Sequence, residues 1–196
     1  MRHRSLPVLL AAPLLLAAMT SLPAQAATPR VGEFTADLAP LNQDGHGLAT
    51  LVQQGTNLTV HLRASGLDGG VHLAHIHGLR QAQNECPTLA QDGDGDGLIS
   101  LVEGVPAYGP VQVTLSQGTN DRGSALDYTR TYTHLDAGDA IASLGDLDQY
   151  AVVVHGVDLD GDGVATNPDV EGDGAGDADD HEISMPALCG TIEVAR

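Results

Sequence analysis

The sequence contains no lysine, and its eight basic residues, all arginines, are set against 26 aspartates and glutamates. Without the first 26 residues, six arginines remain and the net charge is −20. Such an acidic chain does not suit nucleic acid or an anionic membrane surface, and we expect neither as a partner. No Gly-x-Ser-x-Gly motif occurs, and the carboxylates lie in ion-loop spacing, so a hydrolase is disfavoured.

Long apolar runs are also scarce, because the only one lies at residues 6–19. It follows the basic residues Arg2 and Arg4 and ends in Ala24-Gln25-Ala26. This pattern is typical of a signal peptide cleaved after Ala26, and no cysteine follows to accept a lipid. We therefore predict a signal peptide at 1–26, one exported domain at 27–196, and a location in the periplasm, cell envelope or extracellular space.

Cysteine occurs only twice, at Cys86 and Cys189. In an oxidising compartment an isolated pair of cysteines is usually bonded. We predict a disulfide that connects the C-terminal strand to a loop in the middle of the chain.

Short runs that alternate apolar and polar residues predict strands separated by turn residues. These runs cover Val31–Leu38, His46–Val52, Asn57–Arg63, Val71–His77, Val111–Leu115, Tyr150–His155 and Thr191–Ala195. Their spacing predicts an all-β antiparallel sandwich or barrel. Two long irregular stretches, Gly78–Pro110 and Val157–Pro186, are the expected functional loops. The segment Asp127–Leu147 fits a strand at its start or a short helix over Ala137–Leu144.

Three histidines lie close together in the segment Val71–Gly78. On a strand, the period of two places His75 and His77 on one face and His72 on the other. Imidazoles on one face can share an ion such as copper, zinc, iron or nickel. His155 is the best candidate for a third ligand, because it ends an apolar strand where the second long loop begins. His46, His134 and His181 are weaker candidates for a fourth.

The first long loop contains a twelve-residue match to the EF-hand calcium loop, Asp92–Glu103, without flanking helices evident in the sequence. Its predicted ligands are Asp92, Asp94, Asp96, the Leu98 carbonyl, Ser100 and Glu103. A weaker copy follows His155, with possible ligands Asp158, Asp160, Asp162, Val164 and Asp169. Calcium in these loops would neutralise carboxylates that otherwise repel one another.

Three segments together resemble the Cu,Zn superoxide dismutases. They are Gly70–His77 with its His-x-x-His-x-His pattern, Val153–Gly156, and Leu188–Ile192 with its Cys-Gly pair. The resemblance implies a Greek-key β-sandwich or barrel, a structural His72, superoxide as the substrate, and catalytic copper on His75, His77 and His155. The strand Ala74–Gly78 also resembles that of the CHRD domains, a β-rich family.

The sequence departs from the dismutase pattern in two places. No histidine lies between Cys86 and Val111, so the bridging and zinc ligands have no counterpart and no zinc is expected. The arginine that precedes the last cysteine of that family is replaced by Met185-Pro186-Ala187-Leu188. Two hypotheses follow: an exported copper superoxide dismutase with calcium-stabilised loops, or a non-catalytic CHRD-like structural or binding module of the cell envelope stabilised by calcium, with cell-envelope proteins as possible partners. The sequence leaves the oligomeric state open.

Overall fold

The structure is a computed structural model, and it describes residues 31–55, 57–78, 85–116, 121–132, 147–166 and 182–196. The strands are β1 (Val31–Pro40), β2 (His46–Gln54), β3 (Asn57–Ser65), β4 (Gly69–Gly70), β5 (Ala74–His77), β6 (Val111–Thr114), β7 (Ala125–Tyr132), β8 (Ala151–His155), β9 (Val164–Ala165), β10 (Pro186–Thr191) and β11 (Glu193–Val194). One helix, α1, spans Leu101–Tyr108, and short 3-10 helices span Leu89–Gln91, Leu147–Gln149 and Glu182–Ser184. The predicted signal peptide and the possible helix at Ala137–Leu144 lie outside these ranges.

Nine strands form one antiparallel sheet, in which eight follow the order β6-β5-β8-β10-β1-β2-β3-β7 and β11 pairs with β1 beside this path. The sheet changes partners along β1, whose C-terminal end pairs with β10 while Phe34 and Thr35 near its start pair with β11. A separate parallel contact joins β4 to β9. The prediction of an all-β antiparallel protein is confirmed.

The two ends of this sheet approach each other through side chains. Arg130 of β7 donates to the carbonyl oxygens of Thr114 and Ser116 at the end of β6, at 2.9 and 2.8 Å. The hydroxyl of Tyr132 donates to the same Thr114 carbonyl. The sheet is therefore curled into a half-barrel, with its apolar face turned inward.

The strand β8 is buried along its whole length. Val152 and Val154 face the main core, whereas Ala151 and Val153 pack on the outer side with Cys189 and Tyr108. This double burial explains the unbroken apolar run in β8, since a strand covered on both faces has no polar side. A second buried layer therefore lies on the outer face of the sheet, next to the histidines of β5 and β8.

Two strand predictions needed correction. The predicted strand Val71–His77 is interrupted, because the amide of His72 donates to the carbonyl oxygen of Asp121 at 2.7 Å, and β5 begins only at Ala74. The last strand was expected at Thr191–Ala195, but most of it, β10, lies earlier and begins at Pro186. Proline is tolerated there because it is the first residue of the strand, beside a register shift against β8.

The helix α1 was not expected, because Pro106 lies inside it. A capping box starts it: the Ser100 side chain accepts from the Glu103 amide, and the Glu103 side chain accepts from the Ser100 amide. The calcium-loop motif is thus followed by a helix, although proline removes a donor from its second turn. None of the helices in the described ranges is long and apolar enough to cross a membrane.

The predicted disulfide is present between Cys86 and Cys189, whose Cα atoms are 5.6 Å apart. It joins β10 in the sheet to the segment that leads into α1. The bond therefore holds the helix and its loop against the outer side of β8.

Candidate metal centre

Three histidines meet on the outer face of the β5–β8 pair. His75 lies opposite Val153 in the ladder, and His155 follows two residues later on the same side of β8. His77 completes the group two residues further along β5. Ala74 and Ile76, which alternate with the two histidines along β5, face the main core as the period of two requires.

The three rings form a nearly equilateral triangle. Their centroids are 5.5 Å apart for His75 and His77, 5.2 Å for His75 and His155, and 5.4 Å for His77 and His155. One nitrogen from each ring lies within 4.8 Å of the others. His77 and His155 are almost fully buried, whereas His75 is partly exposed.

Backbone carbonyls determine the tautomers of the two buried rings. His77 Nδ1 lies 2.8 Å from the carbonyl oxygen of Gly109, and His155 Nδ1 lies 2.7 Å from that of Ser184. A carbonyl oxygen can only accept, so we assign the proton of each neutral ring to Nδ1. Each Nε2 then carries a lone pair, and the two Nε2 atoms face each other at 3.3 Å.

Two lone pairs at this distance repel each other unless a proton or a metal ion lies between them. A proton is disfavoured, because burial lowers the pKa of His77 from 6.5 to about 4 and that of His155 well below its ordinary value. The third ring, His75, has a buried Nδ1 with no hydrogen-bond partner among the described residues. The three rings therefore bring one nitrogen each to within 4.8 Å of one another, and neither Nε2 of the buried pair faces a donor there.

This arrangement suits a metal ion. Imidazole nitrogens bind zinc at about 2.0–2.1 Å, so two of them at a tetrahedral angle lie about 3.3 Å apart. The observed Nε2–Nε2 distance is the same. Within the described part of the chain no fourth histidine, cysteine or carboxylate joins the group. A metal held here would keep a coordination position open, as catalytic metal sites do.

The metal-free centre should make stability depend on pH. Burial lowers the pKa of His75 and of His77 from 6.5 to about 4, so between these values the unfolded chain binds more protons than the folded one. The free energy of unfolding should fall by several kcal/mol as pH drops from about 6.5 to 4. Urea titrations of the metal-free protein across this range measure the slope. His75→Asn should reduce it, and an unchanged slope would contradict this assignment.

The other described histidines are held elsewhere. The ring of His72 is buried, with its two nitrogens 3.1 and 2.9 Å from the carbonyl oxygens of His155 and Asp68. His72 does not belong to the group of three. His46 is exposed and hydrogen bonds to the Ser65 hydroxyl at 3.2 Å, outside the group. His134 and His181 lie outside the described residues.

Tyr108, which the sequence did not reveal, covers His77. Its ring is fully buried and packs edge-on against the imidazole, with centroids 4.6 Å apart. Gly104 leaves room for it, since a Cβ there would lie 2.5 Å from the tyrosine ring. Because Tyr108 and Gly109 both end α1, the helix supplies His77 with an aromatic neighbour and a hydrogen-bond acceptor.

The first acidic loop brings the side-chain oxygens of Asp92, Asp94 and Asp96 within 4.8 Å of one another. Asp92 accepts from the amides of Gly95 and Gly97 at 2.6 and 2.9 Å. Gly97 has a φ of +89°, which glycine adopts at little cost. Glu103 returns to the loop and accepts from the amides of Gly93 and Ser100, and these bonds lower its pKa. The predicted ligands at positions 1, 3 and 5 therefore lie close together, and the predicted ligand at position 12 hydrogen bonds back to the same loop.

The second acidic loop has the same local hydrogen bonds, with Asp158 accepting from the amides of Gly161 and Gly163 at 2.8 and 2.7 Å. Here the closing acid is Glu182, which sequence reasoning missed. It accepts from the Leu159 and Thr166 amides at 2.6 and 2.7 Å, the positions that correspond to Gly93 and Ser100. The predicted Asp169 lies outside the described residues. No local signal identifies Glu182, because it approaches from a distant segment.

Comparison with known proteins adds no family to these observations. The sequence matches no protein-family model, and no curated protein is significantly similar to it.

Proposed function

We propose that the protein is an exported, copper-dependent superoxide dismutase-like enzyme. The observation that carries the proposal is the convergence of one ring nitrogen each from His75, His77 and His155, with the Nε2 atoms of His77 and His155 facing each other at 3.3 Å. Imidazole ligands suit copper, zinc, iron and nickel, and copper is chosen because of the sequence resemblance. The return of β10 beside β1, next to the consecutive strands β2 and β3, supports a Greek-key topology. The disulfide is typical of an exported protein.

The residues of this chain would hold the metal and leave one side open. Copper bound there would supply one-electron chemistry, oxidising one superoxide to oxygen and reducing a second, with two protons, to hydrogen peroxide. The Gly109 and Ser184 carbonyls accept from Nδ1 of His77 and His155, which would leave each Nε2 unprotonated and able to bind the ion. Burial of these two rings removes the water that would compete for the same nitrogens.

A superoxide assay tests the proposed activity. Copper-loaded protein should disproportionate superoxide, and His75→Ala and His155→Ala should reduce the rate to that of the buffer, because each removes one of three ligands. His46→Ala, which changes an exposed histidine outside the group, is the matched control and should retain full activity. Equal activity in the parent and both ligand variants would refute the enzymatic proposal.

One observation favours the alternative, a non-catalytic CHRD-like module of the cell envelope. Met185, Ala187 and Leu188, where the resemblance leads one to expect an arginine, are buried and bring no positive charge to the site. With a mature charge of −20, attraction of an anion is weak. Metal analysis of protein purified without chelator separates the two functions. The enzyme should contain stoichiometric copper, and the module calcium alone.

We propose in addition that calcium binds the loop Asp92–Glu103, since it combines the EF-hand sequence and three adjacent aspartates with a Glu103 side chain that accepts from the amide of Gly93 in the same loop. The second loop is a further proposed calcium site, in which Glu182 takes the part of Glu103. Each loop would then be closed by a glutamate. This glutamate belongs to the loop sequence itself in the first loop and comes from a distant segment in the second.

Removing calcium should lower stability. At a free calcium concentration a hundred times the dissociation constant, one site stabilises the folded state by about 2.7 kcal/mol. We expect a chelator to lower the melting temperature of the parent, and Glu103→Gln to abolish most of the stabilisation from the first loop. Calorimetry with and without calcium measures both effects.

Glu193→Gln, at an exposed position in β11, is the control for loss of a carboxylate and should respond to calcium like the parent. Identical melting temperatures of the parent in calcium and in chelator would contradict calcium binding.

A further inference from the structure

Glu182 is fully buried, which is unusual for a carboxylate. Its two oxygens accept from separate pairs of donors. Oε1 accepts from the amides of Leu159 and Asp160 at 2.6 and 3.1 Å. Oε2 accepts from the amide and hydroxyl of Thr166 at 2.7 and 3.4 Å. The side chain thus joins both ends of the second acidic loop to the 3-10 helix Glu182–Ser184.

The backbone of the same segment is tied to the residues that follow His155. The Glu182 carbonyl accepts from the amides of Val157 and Met185 at 3.0 and 3.2 Å, and the Met185 carbonyl accepts from Gly156 at 2.8 Å. Between these bonds lies Ser184, whose carbonyl oxygen holds His155 Nδ1 at 2.7 Å. The position of that carbonyl therefore depends on how Glu182 is anchored.

We propose that Glu182 is a positioning residue of the metal centre, acting on His155 through the Ser184 carbonyl. The inference rests on the proposed copper function, but it concerns the imidazole even before any metal binds. If the Ser184 carbonyl moves away, His155 loses the bond that keeps its proton on Nδ1. Nε2 is then protonated in part of the molecules, and a protonated nitrogen cannot bind a metal.

Glutamine cannot replace the carboxylate at this position. A glutamine side chain has one acceptor oxygen and one NH2 group, so it must direct NH2 hydrogens at one of the two donor pairs. Either the Leu159 and Asp160 amides or the Thr166 donors lose their partner. Glu182→Gln therefore changes the hydrogen bonds with almost no change in side-chain volume.

The test uses two measurements on the full mature chain in calcium-free buffer. Nitrogen-15 NMR of the imidazoles in the metal-free protein should report the Nδ1–H tautomer of His155 in the parent and a mixture of tautomers in Glu182→Gln. The affinity for added copper should fall about tenfold, the low end of the range for outer hydrogen-bond partners, with a changed copper(II) electron paramagnetic resonance spectrum. A purely structural role would lower the melting temperature without changing tautomer or spectrum.

Glu193→Gln is the matched control and should resemble the parent in both measurements. A folded Glu182→Gln with the parental tautomer and copper affinity would overturn the proposal. If Glu182→Gln does not fold, Glu182→Asp decides, since it keeps the charge but is one methylene too short to reach both donor pairs. Glu182→Asp should change the tautomer of His155 and the copper affinity in the same direction but by less. If neither changes, the proposal is overturned. A parent that binds no copper refutes the proposed function, while the tautomer measurement still decides on Glu182.

Discussion

His75→Ala should weaken copper binding by about a hundred- to a thousandfold while leaving the fold intact. Structural metal sites with four ligands bind with about 10–16 kcal/mol, so one ligand contributes about 2.5–4 kcal/mol, and each 1.4 kcal/mol is a factor of ten. The fold should survive because His75 is only partly buried and its Nδ1 makes no hydrogen bond among the described residues. Competition with a copper chelator of known affinity measures the change.

The matched control is His61→Ala, which removes a histidine from the outer face of β3, where it hydrogen bonds to Asp127 at 2.9 Å. We expect its copper affinity to equal that of the parent. If His75→Ala bound copper as tightly as the parent, the metal would lie elsewhere, and the triangle of imidazoles would have only a structural role.

Removing the disulfide should have the largest effect on stability. The bond closes a loop with a sequence separation of 103, and for a loop of about 100 residues the chain-entropy model assigns a stabilisation of about 4.7 kcal/mol. We expect Cys86→Ala with Cys189→Ala to lower the free energy of unfolding by about 4 to 5 kcal/mol. Alanine is preferred to serine because Cys189 is buried among apolar side chains, where a hydroxyl would lack a partner.

Urea unfolding of the double variant measures this loss, and the parent unfolded in the presence of a reductant is the control, because it breaks the same bond without changing the side chains. Both samples should lose a similar free energy. A loss below about 1 kcal/mol in both would mean that the unfolded chain is already restricted without the bond.

The two acidic loops have a common relation to the metal centre. Glu103 closes the first loop and starts α1, which ends at the carbonyl that holds His77. Glu182 closes the second loop and starts the 3-10 helix that ends at the carbonyl holding His155. Each buried imidazole is therefore oriented by an element whose first turn contains a loop-closing glutamate.

The part of the site that could be predicted from sequence is the part determined by local periodicity. The alternation of residues along a strand places His75 and His77 on the same face, and this does not depend on any other part of the chain. The first calcium-loop motif is equally local, because its twelve positions are consecutive. The cysteine pairing was predictable for a different reason, since two cysteines allow only one intramolecular disulfide.

The elements that sequence reasoning missed depend on distant partners. Pro106 argued against α1, but the capping box at Ser100 and packing of Tyr108 on His77 outweigh the lost donor. Glu182 looked like one of many acids in a solvated loop, and only the fold gives it four hydrogen-bond donors. Propensity and spacing cannot contain such information, because the partners lie far along the chain.

The sequence by itself determined the all-β class, the pair of histidines on one strand face, the first acidic loop and the disulfide, because each follows from residue spacing or residue number. Only the tertiary structure decided that His155 meets the other two histidines, since this requires β5 and β8 to be neighbours in the sheet. It also decided which nitrogen of His77 and of His155 is left without a proton, because the Gly109 carbonyl at the end of α1 and the Ser184 carbonyl of a 3-10 helix lie against the opposite nitrogens.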